Sequence, residues 1–254
     1  RWIADQGITR LLIPPVLCAA LAGSGGPGAV RTIFTGGGPV FPDIVKTLSR
    51  PGTRVVSVYG STEAEPIARV ESDEISAEDQ RAMEAGCGIL AGHPVPGLSL
   101  RIEDDEIQVS GAHVNQGYFD PSHDADTKLH QDGVVWHRTG DAGRLDGEGR
   151  LWLLGRLQDR FHAPGGPIYP FAVEVVARTW PGVDAAAFLA IDAVPILAVS
   201  GDAANLAEWE EAAKDCGIAR VTAISEIPMD RRHRSKVDAR TLAKRIKAKL
   251  GRVS

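Results

Sequence analysis

The chain has 254 residues, 43% of them hydrophobic and 24% charged, with a formal net charge of -5. Its size suits one large domain or two smaller ones. The acidic balance argues against a general nucleic-acid binder, and no apolar run approaches the length of a membrane span. The three cysteines, Cys18, Cys87 and Cys216, are far apart and odd in number. They offer neither a metal spacing nor a disulfide framework, which points to a reducing, cytoplasmic setting.

In chain order, Arg1 to Gln6 reads as a helix tail stopped at Gly7. Because the chain opens mid-helix on Arg1 with no initiator Met, it is expected to be a fragment of a larger protein. Ile8 to Ile13 is predicted as a buried strand cut off by Pro14-Pro15, and Val16 to Ala22 as a short helix. A second buried strand, Val30 to Phe34, runs into Gly36-Gly37-Gly38-Pro39, and a helix follows from Asp43 to Leu48. Glycines after a strand let the backbone approach a flat ligand, and they equally make a plain tight turn. No GxxxxGK[ST] phosphate loop is present.

Arg54 to Tyr59 is the third predicted strand, ending in Gly60-Ser61-Thr62-Glu63. A hydroxyl beside a carboxylate suits a hard cation and a phosphate, although both residues also serve as ordinary loop caps. Ser76 is an N-cap with acids in the first turn of a helix to Ala85, and Gly86 to Gly97 reads as a Gly/Pro-rich connection. Short strands at 98–103 and 106–110, turning at Asp104-Asp105, open a β-rich subdomain. It continues as a hairpin over Val135 to Leu154 that turns at Asp146-Gly147-Glu148-Gly149. Asp141 and Arg156 would meet at its open end, as a grip for a polar ligand or as a surface salt bridge.

Beyond Arg156, Asp159 to Pro170 reads as an irregular loop and Phe171 to Thr179 as a helix. Strands at 185–191, 196–200 and 221–224 then alternate with helices at 207–216 and 239–250, a compact α/β module. The predicted fold class is mixed α/β: residues 1–156 form part of a large domain with a β-rich subdomain, and 157–254 form a small mobile one.

Three stretches in this order, Gly36-Gly37-Gly38-Pro39, Tyr59-Gly60-Ser61-Thr62-Glu63 and Thr139-Gly140-Asp141 through Gly155-Arg156, resemble the adenylate-forming superfamily of acyl-CoA synthetases, peptide-synthetase adenylation domains and luciferases. The loop around Gly165 and the late lysine Lys236 are similar to that family's C-terminal domain. The resemblance covers nearly the whole chain, from the middle of the family's large domain onward, and implies that its lysine-ending phosphate loop lies upstream. It further implies a carboxylic acid as substrate, ATP and Mg²⁺, with CoA as acceptor in the thioester-forming members. Gly36, Gly37 and Gly38 would line the adenine pocket beside Tyr59 and Gly60. Thr62 would touch phosphate and Glu63 hold Mg²⁺, while Asp141 and Arg156 would bind the ribose. Gln158 would be the hinge, Gly165 would face the thiol acceptor, and Lys236 would stabilise the charge formed during attack.

Departures from the family pattern narrow the resemblance. Pro228-Met229-Asp230-Arg231-Arg232-His233-Arg234-Ser235-Lys236 is similar to the P-x-D-x-R-H-x-x-K segment of the β-lactone synthetases of olefin biosynthesis. His162, Pro167 and Ala172 stand where CoA ligases often carry Lys, Asn and Glu. The resemblance therefore implies a fatty or β-hydroxy fatty acid, a β-lactone or an acyl-CoA as product, and other enzymes of a fatty-acid or olefin pathway as partners. A peptide-synthetase adenylation domain and a non-catalytic nucleotide-binding fragment stay open as alternatives.

Overall fold

The computed structural model describes residues 2–26, 28–230 and 235–251. A short helix α1 (Trp2–Asp5) leads into β1 (Arg10–Ile13), α2 (Pro15–Gly23), β2 (Thr32–Gly36), α3 (Pro42–Leu48), β3 (Arg54–Ser61) and β4 (Ala64–Glu71). Helix α4 (Ala77–Glu84) is followed by β5 (Ile89–Pro94), β6 (Leu98–Glu103), β7 (Glu106–Gly111), β8 (Lys128–Gln131), β9 (Val134–Leu145) and β10 (Leu151–Arg156). These ten strands form one sheet in the order β1-β2-β3-β4-β5-β10-β9-β7-β6, with β8 paired to β9. Strands β1, β2 and β3 run parallel and the rest pair antiparallel.

The expected buried strand at 8–13 is corrected: β1 is the sheet's edge, and Leu12 is 79% exposed. Apolar composition marks a strand, but only its neighbours decide whether both faces are covered. Two strands were not expected, one in a stretch with no predicted element and one in a stretch read as a connection. Residues 64–71 return antiparallel beside β3, and the Gly/Pro-rich segment contains β5, which pairs antiparallel with β4 on one side and with β10 on the other. Glycine and proline signals outweighed short apolar runs whose partners lie far away in sequence. The 76–85 helix begins as expected, with a Ser76–Asp79 capping box.

After β10 come a single 3₁₀ turn at Leu157–Asp159, a small hairpin of β11 (Phe161–Ala163) and β12 (Gly166–Ile168), and α5 (Pro170–Ala177). The irregular loop predicted for 159–170 is thus partly a hairpin. Strands β13 (Val183–Ile191), β14 (Val194–Gly201) and β15 (Arg220–Ile224) form a three-stranded sheet, interrupted by α6 (Leu206–Asp215) and followed by α7 (Ala239–Leu250). Both faces of this sheet are covered, which explains the nearly continuous apolar run of β13 and β14. Trp209 and Ala213 of α6 pack with Phe188, Leu197 and Val199 on one side. Leu242 and Ile246 of α7 pack with Leu189, Ile196 and Ala198 on the other.

Helix α5 carries apolar residues all round and serves two cores. Val173 and Ala177 join the core of the small sheet, whereas Val175 joins Phe41, Met83 and Trp152 under the large one. The helix thus packs against both sheets.

Candidate functional site

The parallel strands β2 and β3 end side by side, and the predicted glycine turn and the 59–63 segment leave from those ends. Crevices at the carboxyl ends of parallel strands are the usual ligand positions in α/β sheets. Gly36 pairs with Val58, and a Cβ on Gly36 would stand 2.4 Å from the Val58 carbonyl oxygen. Only a glycine allows the two strands this close at the crevice.

Asp141 lies in β9 opposite Arg156 of β10, and Arg156 Nη1 donates to Asp141 Oδ1 at 2.9 Å. The predicted meeting of these charges is therefore present in the fold. Tyr59 O–H donates to the other oxygen, Asp141 Oδ2, also at 2.9 Å, which connects β3 to the hairpin across the intervening strands. A carboxylate has about four lone-pair positions, so a pair of hydroxyls can still be accepted. Burial pushes the Tyr59 phenol well above its usual range, and the adjacent Asp141 charge adds to this. The phenol therefore stays a neutral donor.

The support behind Asp141 was not legible in the sequence. Asp141 N–H donates to Thr139 Oγ1, and Thr139 O–H donates to the Ile107 carbonyl. Glu106, 4% exposed, accepts from Gly140 N–H at 3.1 Å and from Arg138 Nε at 2.7 Å. Gly140 has φ +69, and a Cβ there would crowd the Arg156 guanidinium. A single acid in an Asp104-Asp105-Glu106 turn gives no sign that it braces a motif 34 residues later.

Glu63 is half-buried. Burial would raise its carboxyl, but the Tyr118 hydroxyl, which donates to Glu63 Oε1 at 2.8 Å, and its own backbone N–H hold it below the usual value. Asn115 N–H also donates to the Glu63 carbonyl at 2.7 Å. Behind this lies a buried cation: Lys128, 5% exposed, donates to the Asn115 carbonyl, meets His137 Nδ1 at 3.3 Å and covers the Tyr118 ring. Burial, and next to it the Lys128 charge, lowers His137, whose Nδ1 also lies 3.3 Å from the Thr127 carbonyl oxygen. Tyr118, Lys128 and His137 escaped sequence reasoning because their contacts join β8, β9 and a loop.

The hydroxyl of Ser61, beside Thr62 and Glu63, is buried without a hydrogen-bond partner among the described residues. An orphaned hydroxyl next to an ionised carboxylate suits a hydrated hard cation and phosphate oxygens. Among the described residues no group of three or more His, Cys, Asp or Glu side chains gathers to hold a metal. The residues present fit Mg²⁺ carried in on phosphates with one carboxylate ligand, and they do not form a zinc-type cage.

Lys236 is exposed, and its segment rests on the glycine turn: the Ser235 carbonyl oxygen lies 2.6 Å from where a Cβ on Gly38 would stand. Asp230 Oδ1 accepts from the N–H groups of Ser235 and Lys236, and Asp230 N–H donates to the Lys236 carbonyl. The intervening Arg231, Arg232, His233 and Arg234, which carry most of the P-x-D-x-R-H-x-x-K resemblance, lie outside the described residues. Thr62 and Gln158 are exposed, and Gln158 sits in the single turn between β10 and β11. Gly165 stands in open space at the tip of the β11–β12 hairpin, apart from these contacts.

The candidate site thus comprises an acid held by a tyrosine and an arginine, the ends of two parallel strands, and a lysine segment packed on a glycine turn. The family model "AMP-binding enzyme" matches residues 1–119. Proteins called olefin beta-lactone synthetase from Stenotrophomonas maltophilia and Xanthomonas campestris pv. campestris are 31% and 33% identical over 93% of this chain. A 2-succinylbenzoate--CoA ligase of Bacillus cereus is 35% identical over 62% of the chain. The chain spans about half the length (51%) of the two synthetases. The structure of O-succinylbenzoate Coenzyme A synthetase from Bacillus subtilis with AMP matches 93% of this chain and 51% of its own at 27% identity, with a TM-score of 0.73. The amide bond synthetase McbA from Marinactinospora thermotolerans shares the fold, with a TM-score of 0.78 and 24% identity over 95% of this chain and 54% of its own. The chain belongs to the adenylate-forming, AMP-binding enzyme superfamily.

Proposed function

We propose that this chain is the nucleotide-clamping and lid-bearing part of an ATP-dependent, AMP-forming carboxylate ligase. The observation that carries the reading is the Tyr59–Asp141–Arg156 clamp, together with the Lys236 segment packed on Gly38 in the turn that follows β2. Asp141 accepts from the ribose hydroxyls and Arg156 keeps it oriented. Gly36, Gly37 and Tyr59 border the adenine, and Thr62 touches phosphate. Glu63 is the protein ligand for Mg²⁺, which neutralises phosphate charge when bound. The substrate carboxylate attacks the α-phosphorus, pyrophosphate leaves, and an acyl-adenylate results. Lys236 supplies a positive charge where negative charge develops, and the chain's own contribution is positioning and electrostatics.

Residues 1–156 are the nucleotide-binding part and 157–254 a mobile part that turns about Gln158, with Gly165 on the thiol-acceptor side. The absence of any helix long and apolar enough to cross a membrane among the described residues fits a cytoplasmic enzyme. A fatty or β-hydroxy fatty acid is the favoured substrate, because the two olefin beta-lactone synthetases match almost the whole chain. The acid's own β-hydroxyl then attacks the acyl carbon of the acyl-adenylate, the acyl–phosphate bond breaks, and a four-membered lactone, AMP and a proton result. The CoA ligases among the relatives favour a second outcome, transfer to the CoA thiol. Incubating the full-length enzyme with ATP and a β-hydroxy acid, with and without CoA, and weighing the products separates the two.

Two substitutions test the site. Asp141→Ala removes the acceptor for the ribose hydroxyls, a loss of about 2 kcal/mol or ~30-fold in AMP affinity. Lys236→Ala leaves AMP affinity near wild type and lowers pyrophosphate release by ~100-fold or more. Equal AMP affinity in wild type and Asp141→Ala, read by calorimetry, removes the clamp.

A further inference from the structure

The third glycine of the 36–38 turn has ordinary backbone angles, unlike Gly37, whose φ is +75. Any small residue could adopt the conformation of Gly38, so the turn itself does not require glycine there. What a side chain at 38 would meet is the Lys236 segment: its Cβ would lie 2.6 Å from the Ser235 carbonyl oxygen, 3.0 Å from Ser235 Cβ and 3.3 Å from Ser235 C. Ordinary contact starts near 3.4 Å, so the segment would have to retreat by the better part of an ångström.

Among the described residues, those beside Ser235 are tied down at several points. Ser235 is 7% exposed, Asp230 holds the N–H groups of Ser235 and Lys236 at 3.1 Å each, and Met229 bridges Val237. Asp238 N–H is tied to the Pro228 carbonyl and its side chain caps α7. A push on the Ser235 carbonyl is passed through one peptide bond to Lys236.

We propose that Gly38 is a positioning residue for adenylation: its missing Cβ is the seat on which the Lys236 segment closes, so that residue 38 sets how far the lysine reaches into the crevice. This rests on the functional reading above and deepens it, because it assigns Gly38 to lid closure instead of to the wall of the adenine pocket. A displacement of about 1 Å in a positioned catalytic group can cost ~100-fold in rate.

The test uses the full-length protein with Gly38→Ala, the double variant Gly38→Ala/Ser235→Gly, and wild type. AMP affinity, the rate of acyl-adenylate formation and the rate at which chemically prepared acyl-adenylate is consumed are measured for each. The expected result for Gly38→Ala is AMP affinity within about twofold of wild type, adenylate formation down ~100-fold, and consumption of preformed adenylate unchanged. Removing the Ser235 side chain, whose Cβ makes one of the two closest approaches, is expected to restore part of the lost rate. A loss of AMP affinity matching the loss of rate would make Gly38 a pocket wall and overturn the proposal, as would unchanged adenylate formation. Failure of wild type to bind AMP or form an adenylate would instead overturn the functional reading.

Discussion

Glu174 shows how a single residue can set a pH response outside the site. It is 6% exposed on α5, with Oε1 accepting from Phe188 N–H of β13. Burial pushes its carboxyl up to about 7, against the lowering effects of that hydrogen bond and of Arg178. The folded state thus retains a proton that the unfolded chain releases near 4.5. Stability from this group is complete below about 4.5 and declines as the pH rises toward about 7. Glu174→Gln keeps the acceptor but cannot ionise, so it removes that slope and gains up to about 3 kcal/mol at pH 8. Denaturant midpoints of the two proteins at pH 5 and pH 8 provide the check, and parallel pH dependences would refute the assignment. Nothing at the sequence level singled out Glu174, because its burial comes from two cores meeting around one helix.

At the scale of elements, the β9–β10 hairpin was readable and its anchorage was not. Period-two patterning on both sides of a Gly-rich turn fixed the pairing, and with it the facing of Asp141 and Arg156. The hairpin's far end is held by Arg150, which donates to Asp79 through both terminal nitrogens and to Asp146 through Nε. Trp152 Nε1 also donates to Asp146. Burial acts to raise both acids, yet Arg150 with Ser76 holds Asp79 low, and Trp152 with Arg150 holds Asp146 low. Arg150→Ala leaves two carboxylates largely buried without their cation, a loss of about 3 kcal/mol of stability. Thermal unfolding measures it, and a change within about 0.5 kcal/mol would show the network to be surface decoration.

Across the whole molecule, the segment after Arg156 is tied to the large sheet at separated points. Arg178 makes two bonds to Asp43, 3.0 and 2.7 Å long, and lies 4.4 Å from the centre of the Phe41 ring. Asp105 accepts from Tyr169 O–H at 2.6 Å and from Arg160 at 3.3 Å. Together with Ser235 on Gly38, these contacts join the segment after Arg156 to residues 38–105. Arg178→Ala, removing one tie worth about 1 to 2 kcal/mol, should expose the turn at 157–160 to protease several-fold faster while leaving AMP affinity unchanged. Equal cleavage rates would show that this contact does not hold the two parts together.

The sequence by itself determined which segments are helices or strands where periodicity and capping were strong, as in the N-cap at Ser76 and the hairpin at 135–154. It also determined the order of motifs on which family membership rests, because those residue types stand at fixed spacings along one chain. The tertiary structure alone decided that β1 is an edge, that β4 and β5 complete the sheet, and that Glu106, Tyr118 and Lys128 stand behind Asp141 and Glu63. Those facts depend on strands paired across tens of residues, and no local pattern encodes such a partner. The same is true of Gly38: a triplet of glycines reads as a turn until Ser235, nearly two hundred positions later, is found resting on it.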